Sequence, residues 1–530
     1  MTADRILERV MLAFEGEGVP SWVTKRLAEA PAAGVTLFMA VNVMRLAQVR
    51  ELTEAVQRTA RGIDGPLLIA ADQEGGQLNA LGAEATQFAG NMALGAVDDE
   101  GLTERVGVAI GREARALGIN VVYAPVLDLA SEPGNVAMGI RSFGDDPAAV
   151  ARHGAAMIRG LQSAGVAASI KHFPGLGAVD QDTHHALGVV HGSAADLEAN
   201  EFAPFRAGIA AGARLVMSAH VAVPALTGDA TLPATLSRTV MGGTLRNGFG
   251  FRGLTISDAF DMRALAQGAA QAVEVIAAIR AGIDLLLCAP GRPAQRRIEE
   301  TLSAARARGL FEPDELAASS ARLADLRSWL AAAGAPPDLD VVGSAEHTDI
   351  SRQLAERALT RLDRGDGGAK GEKPAPIAFA PGTRILAIMP EPTDLTPADT
   401  SSAVPPGLGR ALRTRFASVD DVVVPVAPGD AEIGALRTRA ESFDAVVVGT
   451  IEAHRQSRQA ALVRAIAETG TPTVAVALRT PWDAVVYPAG VPAIATYSIL
   501  PDSLEALARA LAGEIGFPGR LPVAVPARPR

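Results

Sequence analysis

Ala167-Ala-Ser-Ile-Lys-His172 runs from four small or apolar residues directly into a lysine and a histidine. A run too short for a helix and apolar on both faces suits a strand covered on both sides in a parallel sheet. The same form recurs at residues 35–40, 67–72, 121–128, 215–220, 254–258 and 284–289. Longer Ala-, Arg- and Glu-rich stretches separate these runs and read as helices, among them 45–61, 100–116, 147–163 and 262–281. Sustained βαβα alternation over residues 1–335 predicts an α/β fold, a (β/α)8-type TIM barrel more than an open doubly wound sheet. Seven strands are visible where eight are needed, so an imperfect barrel is also open.

Beyond the barrel the pattern changes. Gly334, Pro336 and Pro337 mark a linker, a helix is expected over 351–362, and the Gly- and charge-rich stretch 364–374 reads as a mobile loop. A second α/β pattern follows, with strands at 385–389, 422–426, 445–448 and 473–477 and a helix at 459–469. The expected organisation is a barrel over 1–335, a linker with a helix over 336–383 and an α/β sandwich domain over 384–530.

The composition, 48% hydrophobic and 20% charged, is that of an ordinary globular chain. A net charge of −10 argues against a nucleic-acid partner, which calls for a basic face. The single cysteine, Cys288, excludes an intrachain disulfide and any cysteine-based metal site; its apolar surroundings predict a buried small hydrophobe. Acidic residues stand near the N-terminus where a secretory signal would be basic, and no apolar run approaches the ~20 residues that span a bilayer. The expectation is a cytoplasmic protein with no membrane partner.

Barrel enzymes carry their chemistry at the carboxyl ends of the strands. Here those ends bear Asp72, Asp128, Lys171 with His172, His220 and Asp258. Any one aspartate there could be a helix cap or turn residue. Several at one end of one barrel would converge in space. Carboxylates, histidines and a lysine suit acid–base work on a polar, neutral substrate. No zinc-type His/Cys array, no Gly-rich nucleotide loop after a strand and no Gly-x-Ser-x-Gly elbow is present, so neither a metal nor a cofactor is expected. Glycoside hydrolysis needs a nucleophilic carboxylate and a proton donor, and this barrel offers both.

Asp72-Gln-Glu-Gly-Gly76, Arg141-Ser-Phe143, Lys171-His-Phe-Pro-Gly175, Asp182-Thr-His184 and Pro233-Ala-Thr-Leu-Ser237, followed by Ile256-Ser-Asp258, occur in that order. Together they resemble glycoside hydrolase family 3, in its β-N-acetylglucosaminidase branch, over residues from about 30 to 290. The second domain resembles the C-terminal domain of two-domain members by pattern only. The resemblance implies that Asp258 is the nucleophile and that Asp182 and His184 form an acid/base dyad. It implies that Asp72, Arg141, Lys171 and His172 bind the sugar, with Asp128 and His220 as further candidates for the same pocket. His185 stands beside His184, and the spacing favours His184. His153 and His191 read as structural, and Phe143 and Phe173 as packing residues.

The implied activity is a retaining exo-β-N-acetylglucosaminidase acting on a small carbohydrate, muropeptide or chitin fragment, as in cell-wall recycling. Two readings of the same site stay open: a phosphorylase with phosphate as acceptor, because a histidine acid repels phosphate less than a glutamate would, and a β-glucosidase-like member. A non-catalytic sugar-binding protein is a third, opposed by the intact Asp258, Asp182 and His184. Gln77 and Ala80 stand where arginines are usual, and Leu176 where a histidine is usual, so the sugar is less defined than the chemistry. The second domain could wall the site or form an oligomer interface.

Overall fold

The computed structural model describes residues 5–59, 63–179, 181–362 and 377–526. Eight strands close into a barrel: β1 (Val10–Leu12), β2 (Gly34–Leu37), β3 (Leu68–Ala71), β4 (Val121–Val122), β5 (Ala167–Phe173), β6 (Leu215–Ser218), β7 (Leu254–Ala259) and β8 (Leu285–Leu287). Neighbours are parallel and follow chain order, and β8 closes on β1 with Val10 opposite Leu286. The barrel expected from the sequence is therefore complete.

The strand that the sequence hid is β1. It is three residues long and leaves a 3-10 turn, Arg5–Arg9, whose charges disguise it. Glu8 and Arg9 are buried because the helix Pro313–Ala332 meets them. Arg327 lies 3.3 Å from Glu8, and Arg9 donates to the Leu316 carbonyl at 2.9 Å. The same helix brings Leu323, Leu326 and Leu330 against Leu68, Leu254, Ile256 and Leu285, one face of the barrel strands, and so covers the amino end of the barrel.

Two further expectations are corrected. The run 121–128 is a strand only over Val121–Val122; Pro125 has no N–H to give, and pairing resumes at a lone bridge between Val126 and Lys171. The helix expected over 262–281 spans only Gln271–Ala281. Before it, the Gln267 amide donates to the carbonyls of Phe260, Met262 and Leu265 and holds a loop instead.

Around the barrel, Glu100–Ala116 and Pro147–Ser163 are full helices. Asp99 accepts from Leu102 N and Asp146 from Ala148 N, each at 3.0 Å, as N-caps. The two helices approach closely at Gly107 and Gly160. A Cβ on Gly160 would fall 2.3 Å from the Glu104 carbonyl oxygen, so only glycine fits.

The second domain is a six-stranded sheet: β9 (Thr360–Arg361), β10 (Arg384–Pro390), β11 (Ser418–Val424), β12 (Ala445–Thr450), β13 (Thr473–Ala477) and β14 (Ala493–Ala495). Its order is β9-β14-β13-β12-β10-β11, parallel except for β9. The segment read as linker thus contributes a strand, β9, and the helix Ala345–Ala358. The stretch 364–374 lies outside the described residues. The domain docks on the loop after β3, where Thr400 N and Oγ1 donate to the Gln77 carbonyl at 2.8 and 3.0 Å. It also docks on the loop after β4, where the His454 ring lies 3.0 Å from the Pro133 carbonyl oxygen. Among the described residues, no helix is long and apolar enough to cross a membrane.

The Gly107–Gly160 contact yields a test. Gly160→Val should destabilise the protein by about 1–3 kcal/mol through overpacking. Gly434→Ala, in a helix with open space around it, should be neutral or stabilise by up to about 1 kcal/mol. Denaturant unfolding of the two variants checks the contrast.

Candidate active site

The carboxyl ends of β3, β4, β5, β6 and β7 bring together Asp72, Asp128, Lys171 and His172, His220 and Asp258. At the centre of one wall is Lys171, 1% exposed. Its Nζ lies 2.6 Å from Asp72 Oδ1 and 2.5 Å from Glu74 Oε1. Glu74 in turn accepts two hydrogen bonds from Arg141, Nε and Nη2 each at 2.8 Å. Arg141 also donates to the Ala137 carbonyl at 2.8 Å. Burial opposes the charge on Glu74, but Arg141 and Lys171 overcome it and draw its carboxyl down to about 2. Burial likewise opposes the Lys171 charge, and Asp72 and Glu74 raise it above the ordinary lysine value. The cluster is therefore charged and balanced at neutral pH. Asp72 is half-buried, and only its Oδ1 is engaged by Lys171.

Glu74 was not singled out from the sequence, although it lies inside Asp72-Gln-Glu-Gly-Gly76. The signal was available. Residues two apart in an extended segment share a face, so Asp72 and Glu74 reach the same cation.

Asp128 is fully enclosed. One oxygen accepts from His172 N at 3.1 Å and contacts His172 Nδ1 at 2.7 Å; the other accepts from Leu176 N at 2.6 Å. It sets the turn after β5 and the orientation of the His172 ring. His220 is also buried. Its Nδ1 meets Thr235 Oγ1 at 2.8 Å and its Nε2 meets the Ala259 carbonyl oxygen at 3.2 Å. Nε2 donates to the Ala259 carbonyl, and Thr235, whose hydroxyl also donates to the Ala219 carbonyl at 3.0 Å, occupies Nδ1. Burial lowers its proton affinity, with Asp258 pulling the other way. The motif Pro233–Ser237 thus serves through Thr235, which anchors this ring.

Asp258 is half-buried, and its Oδ1 accepts from Ala259 N at 2.7 Å. Burial would raise its carboxyl, but the fields of His172, His220 and His184 and the Ala259 N–H hold it below the ordinary aspartate range. His184 arrives from the loop after β5. Its Nδ1 and backbone N–H both meet Asp182 Oδ1, at 2.7 and 2.9 Å. Residues Gly188–Val189 pair in parallel with Val221–Ala222, and Arg263 N donates to the His184 carbonyl at 3.3 Å. These contacts hold the loop over β6 and β7. Burial opposes the Asp182 charge, but the two contacts from His184 keep its carboxyl low. With Nδ1 occupied by Asp182, Nε2 is the remaining ring nitrogen.

The other residues weighed from the sequence sit apart from this cluster. The His185 side chain is 61% exposed and 4.0 Å from Asp182. His153 is buried on Thr103 and stacks on Phe143 at 5.4 Å. His191 is exposed on the surface. Phe173 packs among Phe202, Phe205 and Phe249. Cys288 is buried, and burial raises its thiol. Of the departures, Gln77 is taken up by the second domain and also donates to the Ala398 carbonyl at 3.3 Å. Leu176 is held by Asp128 and Asn135, and Ala80 is buried beside the Asp72 backbone. Among the described residues, no group of three or more His, Cys, Asp or Glu side chains is arranged to hold a metal ion.

Residues 17–326 match the model of the glycosyl hydrolase family 3 N terminal domain. The chain belongs to glycosyl hydrolase family 3. It is 32% identical over 373 residues to a β-hexosaminidase A of Pseudoalteromonas piscicida, across 66% of this chain and 62% of that protein's length. It is 37% identical over 285 residues to a β-hexosaminidase of Stenotrophomonas maltophilia, across 52% of this chain and 81% of the relative. A solved structure of a family 3 β-N-acetylglucosaminidase from a Paenibacillus species superposes with a TM-score of 0.91 at 33% identity, covering 98% of both chains. The matched segment contains barrel strands β2 to β8 and the residues from Asp72 to Asp258 gathered at their carboxyl ends, and the Paenibacillus likeness extends through the second domain.

The Lys171 cluster predicts a specific weakness. Glu74→Gln removes the carboxylate that Lys171 and Arg141 share, leaving buried cations short of a partner, and should cost about 3–5 kcal/mol. Glu74 has a folded value below its unfolded one, so its contribution is present above about 4.5 and is lost as pH falls towards 2. Unfolding midpoints of wild type between pH 6 and pH 2.5 should fall, and those of Glu74→Gln should fall less.

Proposed function

We propose that this family 3 protein is a retaining exo-β-N-acetylglucosaminidase. In this reading Asp258 attacks the anomeric carbon of a terminal N-acetylglucosamine and forms a glycosyl–enzyme. His184 gives its Nε2 proton to the departing oxygen. The same nitrogen then takes a proton from the water that releases the sugar. Asp182 orients the ring and stabilises its protonated form. Asp72, through its unengaged oxygen, Arg141, Lys171 and His172 are assigned to the sugar hydroxyls. Asp128 and His220 act behind them, as positioning residues for His172 and for the Asp258–Ala259 segment. The chemistry is assigned to residues 1–335, and 384–530 braces the mouth through Thr400 and His454.

The observation that carries this reading is the Asp182–His184 pair, clamped at Nδ1 and with Nε2 left over, on a loop held beside an aspartate kept ionised. An acid/base and a carboxylate nucleophile are what retention requires. The names of the two bacterial hexosaminidases and of the Paenibacillus enzyme support the choice of sugar. Muropeptides or chitin fragments taken into the cytoplasm are the proposed natural substrates.

The test is release of p-nitrophenol from its N-acetyl-β-glucosaminide, with and without phosphate. Wild type should release free N-acetylglucosamine in both buffers, and Asp258→Asn should lose the activity. Formation of the sugar 1-phosphate, dependent on phosphate, would make the same residues those of a phosphorylase. Cleavage of the plain β-glucoside alone would overturn the substrate. Asp182→Asn should reduce kcat about 10²–10⁴-fold while the fold persists. Because Asp258 is held below the ordinary carboxylate value, its protonation should limit kcat/KM only below about pH 4. An acid limb assigned to Asp258 well above that value would contradict the arrangement.

A further inference from the structure

The opposite end of the barrel holds a cavity of about 550 Å³. Arg9, Arg252 and Asp284 line it, and they stand just before β1, β7 and β8, so it opens at the amino ends of the strands, away from Asp258. Its volume falls in the range of small-molecule sites. Six arginines line it: Arg9, Arg238, Arg246, Arg252, Arg280 and Arg322. Three carboxylates, Asp284, Glu312 and Glu315, face them, which leaves a local excess of three positive charges on a chain whose net charge is −10.

The carboxylates do not use up the cations. Asp284 is shared, bound to Arg246 at 2.6 Å and to Arg322 through two contacts at 3.0 and 2.6 Å. Glu315 pairs with Arg238. Among the described residues, Arg252 is exposed and forms no ion pair, and Arg9, 5% exposed, keeps a buried Nε–H with no acceptor. Burial lowers Arg246, Asp284 raises it, and Arg322 and Arg252 lower it further, as expected for guanidinium groups crowded without enough counter-charge.

The wall itself has an unusual form. Thr239–Gly248 is a ten-residue π-helix, and such windings concentrate at functional sites. It faces the cavity with Gly242 and Gly243. A Cβ on Gly243 would approach no atom closer than 3.9 Å, and one on Gly242 would meet the flexible Arg238 side chain at 3.4 Å and the Ala281 carbonyl oxygen at 3.8 Å, both ordinary contacts. Packing within the chain therefore does not demand glycine at either place. The two glycines leave the wall bare where a ligand would need room.

We propose that this cavity is a binding site for an anion carrying a phosphate or diphosphate group, separate from the sugar site at the other end of the barrel. Arginine forks suit phosphate oxygens in pairs, and the excess of three charges matches a multivalent anion. Arg252 supplies the uncommitted donors, and Arg322 and Arg246 turn partly from Asp284 to the ligand.

Calorimetric titration of the full chain with pyrophosphate, and separately with inorganic phosphate, at constant ionic strength tests this. One site per chain is expected for at least one of the two anions. Arg252→Glu and Gly243→Glu should each weaken it at least tenfold, with unchanged thermal midpoints in the absence of anion. Asp258→Asn should bind as wild type does. Tighter binding of pyrophosphate would assign a diphosphate ligand, and equal binding a single phosphate group. Absence of binding for both anions would overturn the proposal. So would affinity undiminished in the two glutamate variants, or affinity lost in Asp258→Asn.

Discussion

The mouth of the barrel depends on one buried ammonium. Lys171 projects from β5 between Asp72 and Glu74, and Glu74 passes the charge to Arg141 through two parallel hydrogen bonds. Taking four charged groups out of water is costly, and the loss is recovered only when each finds its partner at hydrogen-bond distance. The network therefore accepts one arrangement of the loops after β3 and β4 relative to β5. Asn91 adds to it by donating to the Arg141 carbonyl at 2.7 Å. The position of the second domain follows, because it docks on Gln77, three residues beyond Glu74 in the same hairpin.

The three histidines around Asp258 show how one side chain is given different duties by its partner. His172 and His220 are buried, and protein groups take up Nδ1 of the first and both ring nitrogens of the second. They fix the surrounding backbone, His172 through Asp128 and His220 through the Ala259 carbonyl. His184 is about a quarter exposed and has one nitrogen fixed by Asp182. His172 shares the fixed Nδ1 but is enclosed, so His184 is the one of the three that combines a carboxylate-bound Nδ1 with a partly exposed ring. The difference lies in enclosure and partner, since the residue type is the same in all three places.

The two ends of the barrel also carry opposite characters. The carboxyl end holds balanced pairs, with each buried cation matched by a carboxylate. The amino end gathers arginines around a shared Asp284 and closes with a helix whose apolar face plugs the barrel. The net charge of the whole chain shows neither feature, because it sums over distances much longer than the ~8–10 Å at which charges act through salt water.

By itself the sequence determined the alternation of strand and helix, seven of eight barrel strands and the order of the motifs. Side-chain period and apolar run length are local properties, and Asp72, Lys171 and Asp258 could be placed at strand ends from them alone. It missed β1, whose three residues are hidden by charges that a helix some 300 residues away neutralises. It missed β9 and β14, two and three residues long, which are strands only because neighbours pair with them. Tertiary structure alone decided that Glu74 completes the Lys171 cluster, that Asp128 holds His172 and Thr235 holds His220, and that Gln77 meets the second domain. Each of those outcomes rests on which groups are enclosed together, and enclosure is set by contacts between segments far apart in the chain.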